Sequence, residues 1–119
     1  MKHDHETINY VEYPACDIAA TKAFFTSVFG WHFTDYGPDY TAFDKQGVEG
    51  GFYRSEKRSD SDQGAALLVF YSSDLDATLA KIIAHHGTIK TAIFDFPGGR
   101  RFHFTCPSGN EFAVWSDQN

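Results

Sequence analysis

The chain nearly repeats itself at a spacing of 57 residues. Segment 17–23 (Asp-Ile-Ala-Ala-Thr-Lys-Ala) returns as segment 74–80 (Asp-Leu-Asp-Ala-Thr-Leu-Ala), and each copy reaches a glycine at the same distance, Gly30 and Gly87. A long period that occurs twice indicates two copies of one supersecondary unit rather than a solenoid of many repeats. Two such units facing each other would form a cleft, which is where we expect function to lie.

Each copy predicts the same order of elements: a strand, a helix and three more strands. Asp17 is a plausible N-cap for the first helix, and Gly30 is its expected C-terminal stop. The predicted helices cover 17–30 and 74–86, and the predicted strands cover 8–14, 31–36, 40–44, 48–54, 66–71, 88–93, 101–105 and 111–116.

These elements predict an α+β fold of two tandem βαβββ modules that form a half-barrel-like cleft. The stretch 55–64 is charged and has no apolar residue, so it is predicted to link the modules. The expected organisation is therefore one domain spanning 1–119, with module 1 at about 7–54, the linker at 55–64 and module 2 at about 65–117.

Composition fits one acidic domain with an aromatic interior. The 119 residues include 12 Phe, 6 Tyr and 2 Trp, so the core and any pocket are expected to be aromatic. The formal charge of −6 argues against nucleic acid or an anionic membrane as a partner, and no apolar run is long enough to span a bilayer. The polar N-terminus and the absence of a Cys-x-x-Cys spacing favour a cytoplasmic protein with reduced thiols, although Cys16 and Cys106 could still lie close together.

Two segments carry a family resemblance. From residue 17 the pattern Asp-Ile-x-x-x-Lys-x-Phe-Phe-x-x-Val-Phe-Gly-Trp resembles the first helix of the vicinal oxygen chelate superfamily, which includes glyoxalase I, bleomycin-resistance proteins and extradiol dioxygenases. From residue 104 the pattern Phe-x-Cys-Pro-Ser-Gly-Asn-Glu-Phe-Ala-Val-Trp resembles its closing hairpin. The resemblance covers about 7–117 and implies the fold, whereas one such scaffold hosts many chemistries.

The resemblance also implies where a catalytic metal would be held. The family's ligands lie on the first strand of each module, seven residues before the capping Asp, and on the last strand of each module. The corresponding residues here are Tyr10, Leu67, Gly51 and Ala113. Catalytic divalent ions need imidazole, carboxylate or thiolate ligands, which none of these residues supplies. We therefore expect neither a metal site nor another cofactor.

A rebuilt site for a divalent metal is the disfavoured alternative. Alternation along the strands places Glu12 on the face of Tyr10, and Glu49 and Glu111 on the faces of Gly51 and Ala113, while His103 lies on the penultimate strand. Some histidine–carboxylate combination of these residues would be needed, but four departures at the family positions weigh against it.

Glu12 and His103 are the candidate catalytic residues. If Glu12 points into the cleft among aromatic rings, burial would raise the pKa of its carboxyl group and suit it to acid–base catalysis. An equally weighted interpretation places Glu12 at the solvent end of the strand, or in a structural ion pair with Arg101 or Arg54.

A second group of residues is predicted to bind ligand. Segment 96–104 (Phe-Pro-Gly-Gly-Arg-Arg-Phe-His-Phe) brings two Arg and a His onto a strand, a mixture suited to an anionic aromatic or carboxylate ligand. Arg101 is the candidate in this segment. Tyr53 and Trp115 are candidates because their rings share faces with Gly51 and Ala113, and Tyr10 is a candidate because it occupies a family position itself. The alternatives are a solvated arginine face and rings that serve only packing.

Three functions from different classes follow. The favoured one is binding of a small aromatic or amphipathic molecule without a metal, as the resemblance to bleomycin-resistance proteins implies. The alternatives are a glyoxalase-like lyase or isomerase, with Glu12 or His103 as acid or base or with a non-standard metal site, and a non-enzymatic regulatory module whose cleft mainly supports dimerisation. The resemblance also implies a homodimer whose chains complete two clefts together.

Overall fold

The computed structural model describes residues 3–118 and contains two βαβββ modules. The first consists of β1 (Tyr10–Ala15), α1 (Ile18–Phe29), β2 (Phe33–Asp35), β3 (Tyr40–Phe43) and β4 (Glu49–Arg54). The second consists of β5 (Val69–Tyr71), α2 (Leu75–Ala84), β6 (Thr88–Phe96), β7 (Gly99–Thr105) and β8 (Glu111–Ser116). The predicted α+β fold of two tandem modules is therefore confirmed.

The two sheets have the same topology and the same register. Their strand orders are β1-β4-β3-β2 and β5-β8-β7-β6, and in each sheet the first strand of the module pairs in parallel with the last. Glu12 lies opposite Gly51 in one sheet, and Val69 lies opposite Ala113 in the other. Since Val69 follows Glu12 by one sequence period, the repeat extends to strand pairing, and Gly51 and Ala113 occupy equivalent positions.

Both helices begin at the predicted aspartates. The Asp17 side chain accepts a hydrogen bond from the Ala20 N–H at 2.9 Å, and Asp74 does the same for Ala77 at 3.2 Å. These bonds satisfy backbone donors that have no partner within the helix.

The helices end differently. Gly30 adopts the left-handed conformation expected of a C-terminal glycine, with φ +71°. In module 2 the helix stops at Ala84, two residues earlier than predicted, and the left-handed residue is His86 rather than Gly87. Gly87 is required for another reason, because a β-carbon there would collide with the Ile82 side chain and the Phe24 ring.

Two strands of module 2 and the linker also differ from the sequence prediction. Strand β5 begins three residues later than predicted, and β6 continues three residues further, with register shifts along its pairing with β7. The charged linker contains a short 3₁₀ turn (Ser61–Gln63), in which Asp60 accepts a hydrogen bond from the Gln63 N–H at 3.0 Å.

One aromatic core lies between the two sheets. Helix α1 carries Phe25, whose ring centroid is 5.7 Å from that of Phe52 in the first sheet and 5.3 Å from that of Phe112 in the second. Tyr13 also spans the modules, at 5.0 Å from Phe112. The apolar faces of both sheets therefore pack into a shared interior, whose burial is the main source of stability.

A buried amide fastens the modules together. Asn110 is 0 % exposed, and its Nδ2 donates to the Pro14 carbonyl at 2.6 Å, while its Oδ1 accepts from the Ser59 N–H at 2.8 Å. The side chain just before β8 thereby holds both the first strand and the linker. No helix in 3–118 is long and apolar enough to cross a membrane.

Candidate functional site

Each module presents one sheet face that is turned away from the shared core. We call them open face 1, defined by Tyr10, Glu12, Tyr36, Tyr40, Glu49, Gly51 and Tyr53, and open face 2, defined by Val69, Tyr71, Phe94, Phe96, Arg101, His103, Glu111, Ala113 and Trp115. Alternation fixes this partition, because the neighbouring residues along each strand pack into the core. All six predicted site residues lie on these faces.

Open face 1 is organised around Tyr40. Its hydroxyl donates to Oε2 of Glu12 at 3.0 Å, which makes the hydroxyl of Tyr10, 2.6 Å away, the donor in the bond between the two phenols. A β-carbon on Gly51 would overlap the Tyr40 hydroxyl and ring, so the glycine creates the space that the phenol occupies. Desolvation, followed by the hydrogen bonds to Tyr10 and Glu12, raises the pKa of Tyr40.

Glu12 is exposed in the single chain, so of the two equally weighted interpretations the structure has the solvent-exposed carboxyl group rather than the buried one. The alternative ion pairs with Arg54 or Arg101 are not formed within residues 3–118. Arg54 contacts Glu56 and the Cys16 carbonyl, and Arg101 contacts His103. The physical reason is that Glu12 lies at the open side of an edge strand, where the Tyr40 phenol supplies its hydrogen bond.

A cavity of about 330 Å³ lies beside this cluster. Tyr10 and Tyr36 contribute aromatic walls, and Glu49 and Asp44 contribute carboxylates. Tyr53 lies on the same face, 38 % exposed, opposite Tyr40 on the neighbouring strand. Open face 1 therefore combines tyrosine rings with acidic groups.

Open face 2 follows from alternation along β7. Phe102 and Phe104 are fully buried in the core, so Arg101 and His103 lie on the opposite side of the strand. The structure therefore places the polar pair on the side of the strand opposite the core.

His103 is held by the buried carboxylate of Glu111, one of the glutamates that the sequence offered for a histidine–carboxylate combination. Nδ1 of His103 lies 2.6 Å from Oε2 of Glu111, whose side chain is 1 % exposed. The other oxygen of Glu111 accepts from Lys90 and from the backbone and hydroxyl of Ser61, each at 2.8 Å. Desolvation alone would raise the pKa of Glu111, but these hydrogen bonds outweigh it and lower the pKa to about 2.

Arg101 contacts both His103 and the aromatic rings of open face 2. Its Nη2 lies 2.9 Å from Nε2 of His103, and its guanidinium carbon lies 5.8 Å from the ring centroid of Phe94 and 5.9 Å from that of Phe96. Trp115 is the cross-strand neighbour of Arg101. Since the carboxylate of Glu111 holds Nδ1 of His103 and Nε2 accepts a hydrogen bond from the Arg101 guanidinium, the imidazole is fixed at both of its nitrogens.

The structure does not bring the two candidate catalytic residues together in one chain. Within residues 3–118 no hydrogen bond, ion pair or ring contact joins open face 1 to open face 2. Tyr10 and Glu12 belong to one cluster, and Arg101, His103 and Trp115 belong to the other. The partners that sequence reasoning missed are Tyr40 and Lys90, which no motif marks.

The family positions lack the donor atoms that a catalytic metal needs. The four family positions hold Tyr10, Gly51, Leu67 and Ala113, and the space above Gly51 is taken by a phenol. No group of three or more His, Cys, Asp or Glu side chains in the described range is placed to hold an ion. The one histidine–carboxylate pair of open face 2 does not fit the requirement, because Lys90 and Ser61 occupy the remaining oxygen of Glu111.

The paired modules and their open faces define the class of the protein as the glyoxalase fold. A glyoxalase/bleomycin resistance protein/dioxygenase family enzyme from Burkholderia phytofirmans is similar over 92 % of this chain and 97 % of its own, with 21 % identity and a TM-score of 0.77. A lactoylglutathione lyase from Agrobacterium tumefaciens is similar over 93 % of both chains, with 20 % identity and a TM-score of 0.69. A fosfomycin resistance protein from Listeria monocytogenes is similar over 93 % of both, with 15 % identity and a TM-score of 0.75.

The family follows from the sequence itself. The model of the Glyoxalase/Bleomycin resistance protein/Dioxygenase superfamily matches residues 7–114, and the chain belongs to this superfamily. No curated protein matches the chain closely enough to count as a relative. The structural similarities lie at low identity, so they establish the fold and leave the reaction to the site itself.

Proposed function

We propose that the protein binds a small aromatic or amphipathic molecule on its open faces and has no resident catalytic metal. The observation that supports this most directly is the phenol of Tyr40 above Gly51. A position at which the family resemblance implies a metal ligand is filled there by a tyrosine that bonds to Tyr10 and Glu12. The exposed rings of both faces offer a ligand the apolar contact area that small-molecule sites require.

We also propose that two copies of the chain complete the site. Six of the eight most exposed large hydrophobic side chains in 3–118 lie on the open faces, namely Tyr10, Tyr36, Tyr53, Val69, Tyr71 and Phe94. Exposed apolar surface of this kind marks a place where a ligand or a partner is bound.

Ligand binding is tested with ¹⁵N-labelled protein and a simple aromatic probe, phenylacetamide. The chain has two indole N–H signals, one from Trp115 on open face 2 and one from Trp31, which is 4 % exposed in the core. We expect a saturable shift of the Trp115 signal while the Trp31 signal stays in place. A Trp115→Leu variant assigns the signals. If aromatic probes shift neither indole signal nor the signal of any residue on the open faces, the proposal that the protein binds such a ligand is wrong.

The proposal that the protein has no resident catalytic metal is tested by a separate measurement. We expect elemental analysis of purified protein to find zinc, nickel and iron well below one per chain, and ligand binding to be insensitive to a chelator. Stoichiometric metal whose removal also abolishes ligand binding would overturn the proposal that no catalytic metal is present.

The proposed dimer is tested by light scattering at micromolar concentration, where a monomer would contradict it.

A second candidate function is that of a lyase or isomerase with His103 as acid or base. The observation that favours it is the 2.6 Å contact between Nδ1 of His103 and the buried Glu111, which fixes the imidazole. A His103→Gln variant that binds ligand but loses turnover would support this function, and Glu12→Gln tests the other candidate in the same way. Occluded faces without any ligand-induced thermal shift would instead favour a dimerisation module.

A further inference from the structure

We propose that open face 2 binds the carboxylate of an aromatic acid and that Arg101 recognises the charge. The proposal rests on the proposed function, because it names the chemical class of the molecule bound there.

Arg101 is a partly buried cation without a carboxylate partner. Three Lys or Arg residues in the described range are of intermediate exposure: Lys22, Arg100 and Arg101. Lys22 pairs with Asp35 at 2.7 Å and Arg100 with Asp76 at 3.3 Å, whereas no carboxylate oxygen in that range lies within 4.0 Å of Arg101. A cation removed in part from water without a counter-ion favours the binding of an anion.

The guanidinium of Arg101 also has unused donors. Only Nη2 has a partner in the described chain, Nε2 of His103, while Nε is buried without one. Glu111 cannot neutralise Arg101 directly, because its oxygens are bound by His103, Lys90 and Ser61. A planar fork of donors matches the two oxygens of a carboxylate, so Nη1 and the adjoining edge of the guanidinium form a carboxylate-binding group.

Aromatic rings surround the same group. The guanidinium lies close to the ring centroids of both Phe94 and Phe96, at 5.8 and 5.9 Å, and the Phe96 and Trp115 ring centroids are 6.2 Å apart in an edge-to-face arrangement. Tyr71 adds a further ring, 5.2 Å from that of Trp115. Since Trp115 lies directly across from Arg101 on the next strand, a ligand ring packed on the indole would place an attached carboxylate at the arginine.

A carboxylate could also come from open face 1 of a second copy. Glu12 and Glu49 are the acidic side chains of that face, and Oε2 of Glu12 is already bound by the Tyr40 hydroxyl. We assign the anion to the small molecule because the rings around Arg101 favour an aromatic group that a glutamate lacks. The experiment separates the two sources.

The first test compares three probes of the same size on the native protein: phenylacetate, phenylacetamide and phenethylamine. Calorimetry gives the affinities, and the Trp115 indole signal reports the location. We expect phenylacetate to bind about tenfold or more tightly than the neutral amide, the cationic amine to bind most weakly, and added salt to reduce the difference. Amide and carboxylate bound equally at Trp115 would overturn the carboxylate proposal while leaving aromatic binding intact.

The second test uses matched arginine variants. Arg101→Gln should reduce the affinity for phenylacetate to that for the amide, and Arg101→Lys should retain part of the preference. Arg100→Gln removes the same charge one residue earlier, on the side of the strand that faces Asp76, and should leave the preference unchanged. An equal loss in the Arg100 and Arg101 variants would mean that net charge alone is responsible, which overturns the proposal.

Two further outcomes would overturn the proposal. If Arg101→Gln dissociates a dimer, and Glu12→Gln does so as well while no probe prefers the site, the carboxylate comes from the second copy and the proposal is wrong. If none of the probes binds, both this proposal and ligand binding on open face 2 fail.

Discussion

The phenol of Tyr40 occupies the space that a side chain at Gly51 would need. A β-carbon built on the glycine would overlap the phenolic oxygen and the adjacent ring carbon, and would approach the Thr41 carbonyl oxygen. The two residues lie on neighbouring strands and form one unit, in which the glycine admits the ring and the ring bonds to Tyr10 and Glu12. The family position on β4 therefore has no room for a ligand side chain while Tyr40 stays in place.

A Gly51→Ala variant should lose stability because the added methyl group forces the phenol out. Overpacking of this kind costs about 1–3 kcal/mol. In a Tyr40→Ala background the same change should cost much less, since the colliding ring is absent. Urea unfolding of the wild type, both single variants and the double variant measures this coupling. Equal costs of Gly51→Ala in the two backgrounds would show that the collision is with the backbone instead.

Asn110 should prove important for stability although it is neither charged nor apolar. Asn110→Ala would leave the buried Pro14 carbonyl and the Ser59 N–H without their partner, at a cost of roughly 2–4 kcal/mol. Asn9→Ala, which changes an exposed amide, is the matched control and should have little effect. Denaturant midpoints of the two variants test this, and similar midpoints would mean that the modules are held together without the amide.

The two cysteines should differ sharply in reactivity. Cys16 is exposed, whereas Cys106 is 3 % exposed and burial raises the pKa of its thiol to about 11, from an ordinary 9.0. At neutral pH this leaves on the order of a hundredfold less thiolate than in an ordinary thiol. An aromatic disulfide reagent should modify one thiol per chain in the native protein and the second only in denaturant. Two rapid thiols, or a Cys16→Ser variant that still reacts quickly, would contradict the structure.

Much of the fold could be predicted because its determinants are local. Asp17 and Asp74 mark helix starts through hydrogen bonds that reach only three residues ahead, and the aromatic residues of β7 alternate with polar ones. The sequence period also relates Glu12 to Val69, whose pairing partners Gly51 and Ala113 are structurally equivalent although their spacing is longer than the period. The helix starts and the alternation depend on local spacing, which can be read directly from the sequence.

The features that could not be predicted from the sequence depend on contacts between segments that are distant along the chain. Tyr40 reaches Glu12 across 28 positions, and Lys90 reaches Glu111 across 21, after register shifts in β6 that no periodicity predicts. The repeat indicates two modules, but it does not indicate which faces of their sheets pack against each other. The alternation of apolar and polar residues along a strand is the same whether the apolar faces or the polar faces are opposed. Here the apolar faces share the core, and for that reason Glu12 and His103 lie apart in one chain.

The buried carboxylate of Glu111 should make stability depend on pH in the acid range. Its pKa is about 2 in the folded protein against an ordinary 4.5, so it contributes stability above about 4.5 that is lost as the pH falls towards 2. Glu111→Gln should therefore be less stable at neutral pH, by on the order of 2 kcal/mol given that Lys90 is partly exposed.

The difference between the two proteins should shrink as the pH falls from 5 to 2, because the wild-type carboxyl group becomes protonated while the amide does not titrate. Asp35, whose pKa is lowered first by its hydrogen bond from Lys22, titrates in both proteins and so cancels from the comparison. Urea midpoints across this range provide the measurement. Parallel curves for wild type and Glu111→Gln would mean that the carboxylate does not draw its stability from Lys90, Ser61 and His103.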